Sequence, residues 1–356
     1  MEYKSRISYL REQISKSEID TLFISNKDSI RYYSGFTGTF AFLLISLDQA
    51  IIITDSRYTL RAEEESPEYE IYKLKSGDNW MKNSTNIIGS KIIGFEGNDL
   101  SVNMLAQLKI KAPSVSDWKD LAAQITNGRT IKSEKEIAIL QKTINISDKA
   151  FNNVSKRIKI SMSEKEIAWE VEKEMRELGA ESPSFDTIVA SGINGSKPHH
   201  SPTDKLINNN EAITIDMGAK FQGYCSDLTR TIFIGDPDTK FKKIYTTVLR
   251  AQLISMETAQ PEMTGEAIDK IARDIISLEG WGDNFGHSLG HGVGIEIHEN
   301  PGIGPNSKNK IKPGMVYTIE PGIYIKGWGG IRIEDMVIMT KKGNNLLSHA
   351  SKEVYS

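Results

Sequence analysis

The sequence predicts an α+β domain over residues 127–356 preceded by a smaller α/β domain over residues 1–126, and three observations carry that expectation. At 356 residues the chain exceeds what one ordinary core holds. In the first third, short apolar runs alternate with amphipathic ones, the rhythm of an α/β layer. From Ser133 onward, two long helical patterns give way to strands of mostly antiparallel character. The polar stretch TNGRT (126–130) separates the two regimes.

In chain order, residues 3–16 place Ile7, Leu10 and Ile14 at helical spacing, and DTLFIS (20–25) reads as a strand. Asp28 is placed to cap a short helix over Ser29–Tyr33. FAFLLIS and AIIITD, parted by Asp48-Gln49, read as adjacent buried strands. SRYTLRAEEE reads as helix, YEIYKL and KIIGFEG as strands, and VNMLAQLKIK as helix. A long amphipathic helix opens at Ser133. A second, opened by Ser163 with Glu166, stops at Gly179. Strands then recur at TIVAS, AITIDMG, TIFIG, MVYTIE, GIYIK and IRIEDMVIM, with two helices between. Ile213, Ile215 and Met217 alternate with Thr214 and Asp216, and a second alternating run carries Cys225, Asp227, Thr229 and Thr231. Joined by a short glycine-bracketed loop, they read as a hairpin that sets Asp216 beside Asp227.

Composition bounds the function class without naming one. Hydrophobic content of 38% and charged content of 26% describe a soluble globular chain. A net charge of −3 does not suggest nucleic acid or an anionic membrane as partner. No stretch approaches the roughly 20 apolar residues that span a bilayer, and the mixed-charge N-terminus is no secretory signal. One cysteine, Cys225, allows no internal disulfide and fits a cytoplasmic location with Cys225 as buried packing.

The chemistry-bearing residues lie in the second domain. Two carboxylates side by side, Asp216 and Asp227, either remain solvated at a turn or, if buried, shift their pKa values or take up a cation. Five of six histidines fall in two segments, His199 and His200 in KPHHSPT, and His287, His291 and His298 in GHSLGHGVGIEIHEN. The interleaved glycines disfavour a helical zinc pair and allow close backbone approach to a site. Glu320 ends an apolar strand. Alternation in IRIEDMVIM puts Arg332, Glu334 and Met336 on one face and Asp335 on the other. A glutamate in such a strand costs several kcal/mol unless paired or metal-bound, and a bridge from Arg332 to Glu334 competes with the metal reading. Asp216, Asp227, His291, Glu320 and Glu334 together carry four negative charges, which two divalent cations neutralise. An oxygen shell with one imidazole suits Mn²⁺, Co²⁺, Fe²⁺ or Zn²⁺. Two such ions can share a hydroxide and support hydrolysis.

The order Asp–x10–Asp, GHGVGxxxHE, TIEPG and RIED closely resembles the pita-bread metallopeptidases, the superfamily of methionine aminopeptidase, aminopeptidase P, prolidase and creatinase. SIRYYSGFTGT and ITDSRY resemble the N-terminal domain of the aminopeptidase P and prolidase branch, and PSFDTIVASGxNGSxPHH the start of its catalytic domain. The resemblance implies a pita-bread domain behind a creatinase-type, ribonuclease H-like α/β domain, two metal ions with Mn²⁺ first among them, and a homodimer. It implies Asp216, Asp227, His291, Glu320 and Glu334 as metal ligands, with Glu320 also the general base. By the same resemblance His199 and His298 are catalytic, His298 and His287 contact substrate around the proline, and Arg332 orients the network. His200 matches no role.

Prolidases often carry arginine in an HExPR run, where a cation holds a dipeptide's carboxylate. Here the run is HENPG, with Gly302 in that place. The expected activity is therefore a Xaa-Pro aminopeptidase acting on peptides with proline second, with Xaa-Pro dipeptidase (prolidase) as alternative. A non-catalytic binding protein is the rival from another class, and bound metal discriminates against it.

Overall fold

The structure is a computed structural model describing residues 2–75, 77–78, 80, 89 and 91–353. The chain forms two compact units, Met1–Arg129 and Thr130–Ser356. The first is built on a six-stranded sheet of β1 (Thr21–Ile24), β2 (Phe42–Ile45), β3 (Ala50–Asp55), β4 (Glu70–Leu74), β5 (Ile92–Phe95) and β6 (Asp117–Asp120), in the order β4-β3-β2-β1-β5-β6. The apolar runs on β2 and β3 pair antiparallel and are buried, because branched side chains fill both faces of an inner strand. Helix Glu2–Ser17 buries Ile7, Leu10 and Ile14. The expected cap moves: Asn26, not Asp28, caps helix Lys27–Ser34, its side chain accepting from the amides of Asp28 and Ser29. Asp28 instead lies in the first turn, where its charge suits the helix dipole. Strand β6 and helix Ala122–Asn127 are additions to the sequence reading. DWKD has no apolar alternation and owes its strand to parallel pairing with β5.

The second unit starts with helices Glu134–Ser155 and Glu164–Glu177. Each opens on a reciprocal capping box, Ser133 with Glu136 and Ser163 with Glu166, satisfying amides that a helix start leaves orphaned. They pack on a three-stranded sheet of β8 (Ile188–Ser191), β9 (Glu211–Met217) and β12 (Leu228–Ile234) through Phe151, Val171, Met175, Ile213, Ile215 and Met217. Between β9 and β12 the hairpin tip bends away as β10 (Ala219–Phe221) and β11 (Tyr224–Cys225), which join β7 (Ser182–Pro183) in a small sheet. The expected two-strand hairpin is thus four short strands. The bend sits at Gly218, where a Cβ would come within 2.1 Å of the Ser226 carbonyl oxygen.

Helices Thr239–Thr258 and Gly265–Leu278 share a second core with a five-stranded sheet ordered β14-β13-β15-β18-β19. Its strands are β13 (Gly290–Gly292), β14 (Glu299–Ile303), β15 (Val316–Ile319), β18 (Asp335–Thr340) and β19 (Gly343–Leu346). A two-stranded ribbon, β16 (Gly322–Ile325) with β17 (Gly329–Arg332), runs beside β9. IRIEDMVIM, expected as one strand, is therefore β17 and β18 with Ile333 and Glu334 between. Pro321 explains the break. It interrupts the partner chain at the same level, between β15 and β16, and has no N–H for the ladder. Glu320 and Glu334 both fall where their chains cross from one sheet to another.

Candidate active site

The alternation that sends Ile213, Ile215 and Met217 to the helices turns Thr214 and Asp216 to the opposite face. Asp216 pairs in register with Thr229. Asp227 precedes β12, and its amide donates to the Met336 sulfur at 3.2 Å. His291 lies on β13, which approaches β15 closely because residue 290 is glycine: a Cβ there would lie 2.0 Å from the Thr318 carbonyl oxygen. The His291 amide donates to Thr318 Oγ1, and that hydroxyl donates to Glu320 Oε1, both at 3.1 Å. His291 Nδ1 donates to the Gly292 carbonyl oxygen, leaving Nε2 at 3.4 Å from both Asp227 Oδ2 and Glu320 Oε1. Glu334 is held by its amide on the Thr229 carbonyl and by the Thr229 hydroxyl, which donates to Oε2 at 2.7 Å.

All five expected ligand residues therefore converge, and they line one cavity of about 610 Å³ together with His199, His287, His298 and Arg332. The alternative bridge from Arg332 to Glu334 does not form. Arg332 Nη2 donates to Asp216 Oδ2 at 2.7 Å, Nε to Thr229 Oγ1 at 3.1 Å, and Nη1 to Tyr324 Oη at 2.8 Å. One threonine thus joins the guanidinium to Glu334, accepting from one and donating to the other. Thr229, Thr318 and Tyr324 were not singled out in the sequence, because threonine and tyrosine are ordinary strand residues. The only available signal for Thr229 was its place two residues after Asp227 on the same face.

Electrostatics show a cluster short of positive charge. Burial first, then the neighbouring carboxylates, raise Asp227 to about 6 and Glu320 to about 7, and push Glu334 well above the usual carboxylate range. Burial works against a charged His291, but the Asp227 and Glu320 carboxylates outweigh it and raise its pKa to about 9. Two carboxylate oxygens, Asp216 Oδ1 and Glu334 Oε1, are buried with no hydrogen-bond partner among the described residues. A buried carboxylate oxygen left without a partner is costly, and a cation satisfies it. Asp227, His291 and Glu334 each bring one ligand atom to within 4.8 Å of the others. These residues fit a divalent metal, and such an ion makes a hydrolytic nucleophile from water at neutral pH.

The other histidines differ. His287 donates from Nδ1 to the Ser288 carbonyl and accepts at Nε2 from the Tyr324 hydroxyl, 2.9 Å away. Burial lowers its pKa to about 4, so it is neutral. With both nitrogens engaged, it presents ring carbon to the cavity. The His298 ring lies 4.2 Å from that of His291, and burial with the His291 charge lowers its pKa. His199 is exposed at the cavity wall. His200 is buried outside the cavity with Nε2 on Glu164.

Residues 138–341 match metallopeptidase family M24, and residues 6–131 match the creatinase/prolidase N-terminal domain. An Xaa-Pro dipeptidase of Pyrococcus horikoshii is 39% identical over 351 residues, 98% of each chain. Among solved structures, an Xaa-Pro dipeptidase from Bacillus anthracis superposes with a TM-score of 0.95 at 38% identity, covering 99% of both chains. An X-Pro aminopeptidase from Thermotoga maritima gives a TM-score of 0.89 at 36% identity, covering 96% of this chain and 99% of its own. Four carboxylates, one imidazole and paired sheets thus have a family to answer to: the chain belongs to metallopeptidase family M24, a metallo-exopeptidase with a pita-bread domain that follows a creatinase/prolidase N-terminal domain in the chain.

Proposed function

We propose that the protein is a Xaa-Pro dipeptidase, cleaving the bond between an N-terminal residue and a C-terminal proline with two divalent cations, Mn²⁺ first among the candidates. The observation that carries it is the convergence of four carboxylates and one imidazole on the floor of a cavity of about 610 Å³, a size that takes a small peptide. Similarity to enzymes named Xaa-Pro dipeptidase along nearly the whole chain supports the shorter substrate over the aminopeptidase expectation.

In this reading Asp216, Asp227, His291, Glu320 and Glu334 would hold the metal, whose chemistry when bound would be to activate water and polarise the scissile carbonyl. Glu320 takes the proton from the attacking water. His199 and His298 donate from the cavity wall to the carbonyl oxygen and the leaving nitrogen. His287, offering ring carbon, packs on the proline ring. Arg332 fixes Asp216 and, through Thr229, Glu334. Peptides with proline second as substrates, a homodimer and a cytoplasmic setting complete the reading. The single, buried cysteine fits the last, and no helix among the described residues is long and apolar enough to cross a membrane.

A second reading, the Xaa-Pro aminopeptidase, is favoured by Gly302. It lines the cavity without a side chain, and Arg332, the only arginine or lysine among the described lining residues, already holds Asp216. Matched Xaa-Pro and Xaa-Pro-Yaa peptides, assayed with Mn²⁺ and then with chelator, separate the two. Metal-dependent cleavage of the dipeptide alone supports the dipeptidase. Cleavage of the tripeptide in preference moves the protein to the aminopeptidases, and cleavage of neither by metal-loaded protein refutes both.

A further inference from the structure

Glu164 opens helix Glu164–Glu177, is fully buried, and does not line the active-site cavity. Its carboxylate is nonetheless saturated by the loop that leads to the site. Oε1 accepts from the Ser191 amide and hydroxyl, both at 2.8 Å, and from Asn194 Nδ2 at 3.0 Å. Oε2 accepts from His200 Nε2 at 2.9 Å and from the Thr203 amide and hydroxyl at 3.0 and 2.7 Å. Burial opposes the charge, but these donors hold its pKa down to about 2, and the helix N-terminus favours the anion. Such a network fixes the geometry of what it binds.

Between its anchors lies His199. Its ring makes no hydrogen bond among the described residues, so no side-chain bond holds it and its placement depends on the loop backbone that carries it. On one side Arg332 Nη1 donates to the Pro198 carbonyl at 3.3 Å, and on the other the His200 ring is tied to Glu164. We propose that Glu164, His200 and Thr203 are positioning residues for the peptidase: the buried carboxylate clamps the loop so that the His199 ring faces the acidic floor. The proposal rests on the reading of His199 as a substrate-facing group. It gives the second histidine of the pair a task distinct from the first.

The test is a double-mutant cycle on the metal-loaded protein with a Xaa-Pro peptide. His200→Leu removes the ring donor, and His200→Gln keeps a donating amide. His200→Leu is expected to lower kcat about 10–100-fold, as a displacement near 1 Å does, with KM changed less. His200→Gln restores most of it. In a His199→Ala background His200→Leu costs nothing further, because the group it positions is gone. Equal losses in both backgrounds, or full activity of both His200→Leu and Thr203→Val, overturn the clamp. If neither variant folds, the network is structural and the proposal fails. Wild-type activity in His199→Ala refutes the role of His199 instead. The His199 ring proton resonance, assigned by its loss in His199→Ala, reads the clamp without turnover: it is single in the wild type and broadened or split in His200→Leu, and an unchanged resonance overturns the proposal.

Discussion

Replacing Thr229 by valine keeps the shape of the side chain and removes only the hydroxyl that joins Arg332 to Glu334. The residue is fully buried, so water does not replace what is lost. In chelator, burial and its acidic neighbours push the pKa of Glu334 well above the usual carboxylate range and so disfavour its charge. The bond Thr229 gives it is then a neutral one, worth about 1 kcal/mol. The bond from the Arg332 guanidinium is charge-assisted, worth about 2 kcal/mol. Thr229→Val is therefore expected to lower the stability of the metal-free protein by about 3 kcal/mol. A ligand freed from its orienting partner also binds metal more weakly, about 10–100-fold. Denaturant unfolding in chelator reads the first number and calorimetric Mn²⁺ titration the second. A variant that unfolds at the wild-type midpoint and binds Mn²⁺ as tightly refutes the reasoning, whatever its activity.

The remaining predictions concern the ligands, their protons and the pocket wall. Asp227→Asn keeps the size of a proposed ligand and removes its charge; turnover is expected to fall at least about 100-fold while circular dichroism stays that of the wild type. Asp227, Glu320 and His291 have folded-state pKa values raised to about 6, 7 and 9 from ordinary values of 3.8, 4.5 and 6.5. The metal-free native state thus binds more protons than the unfolded chain, and its stability is expected to fall as pH rises from about 4 to 9. Metal binding displaces those protons, so melting profiles with saturating Mn²⁺ should lose that fall, and parallel profiles with and without metal would falsify the assignment. Gly302→Arg places a cation on the wall where a Cβ meets only Ser307 Oγ, at 3.1 Å; it is expected to lower KM for Xaa-Pro relative to Xaa-Pro-amide, as initial rates on the two will tell.

Much of this was legible because the site breaks local rules. Glu320 and Glu334 stand in apolar runs, and the glycines around His291 serve no helix, so the candidates could be found from one sequence. The caps at Ser163 and Glu166 are local and formed as expected. Illegible features depend on partners far along the chain. Whether Arg332 meets Glu334 or Asp216 turns on the crossover at Ile333, and that is imposed by Pro321, which lies opposite it between β15 and β16. Thr229 and Tyr324 look like any strand residues until Arg332 reaches them. Asn26 and Asp28 are both good caps, and propensity alone does not choose between them.

The five acidic-floor residues come from separate segments between 216 and 334, each at or beside a point where its chain enters or leaves a strand. No contiguous peptide of this protein holds more than a fraction of the set. An ion that needs all five has no high-affinity site until both sheets and the crossover between them are in register. Metal uptake during refolding would then mark completion of the catalytic unit. If the five proposed ligands hold it, the ion would serve as a late seal on a finished architecture, without acting as the nucleus around which it forms.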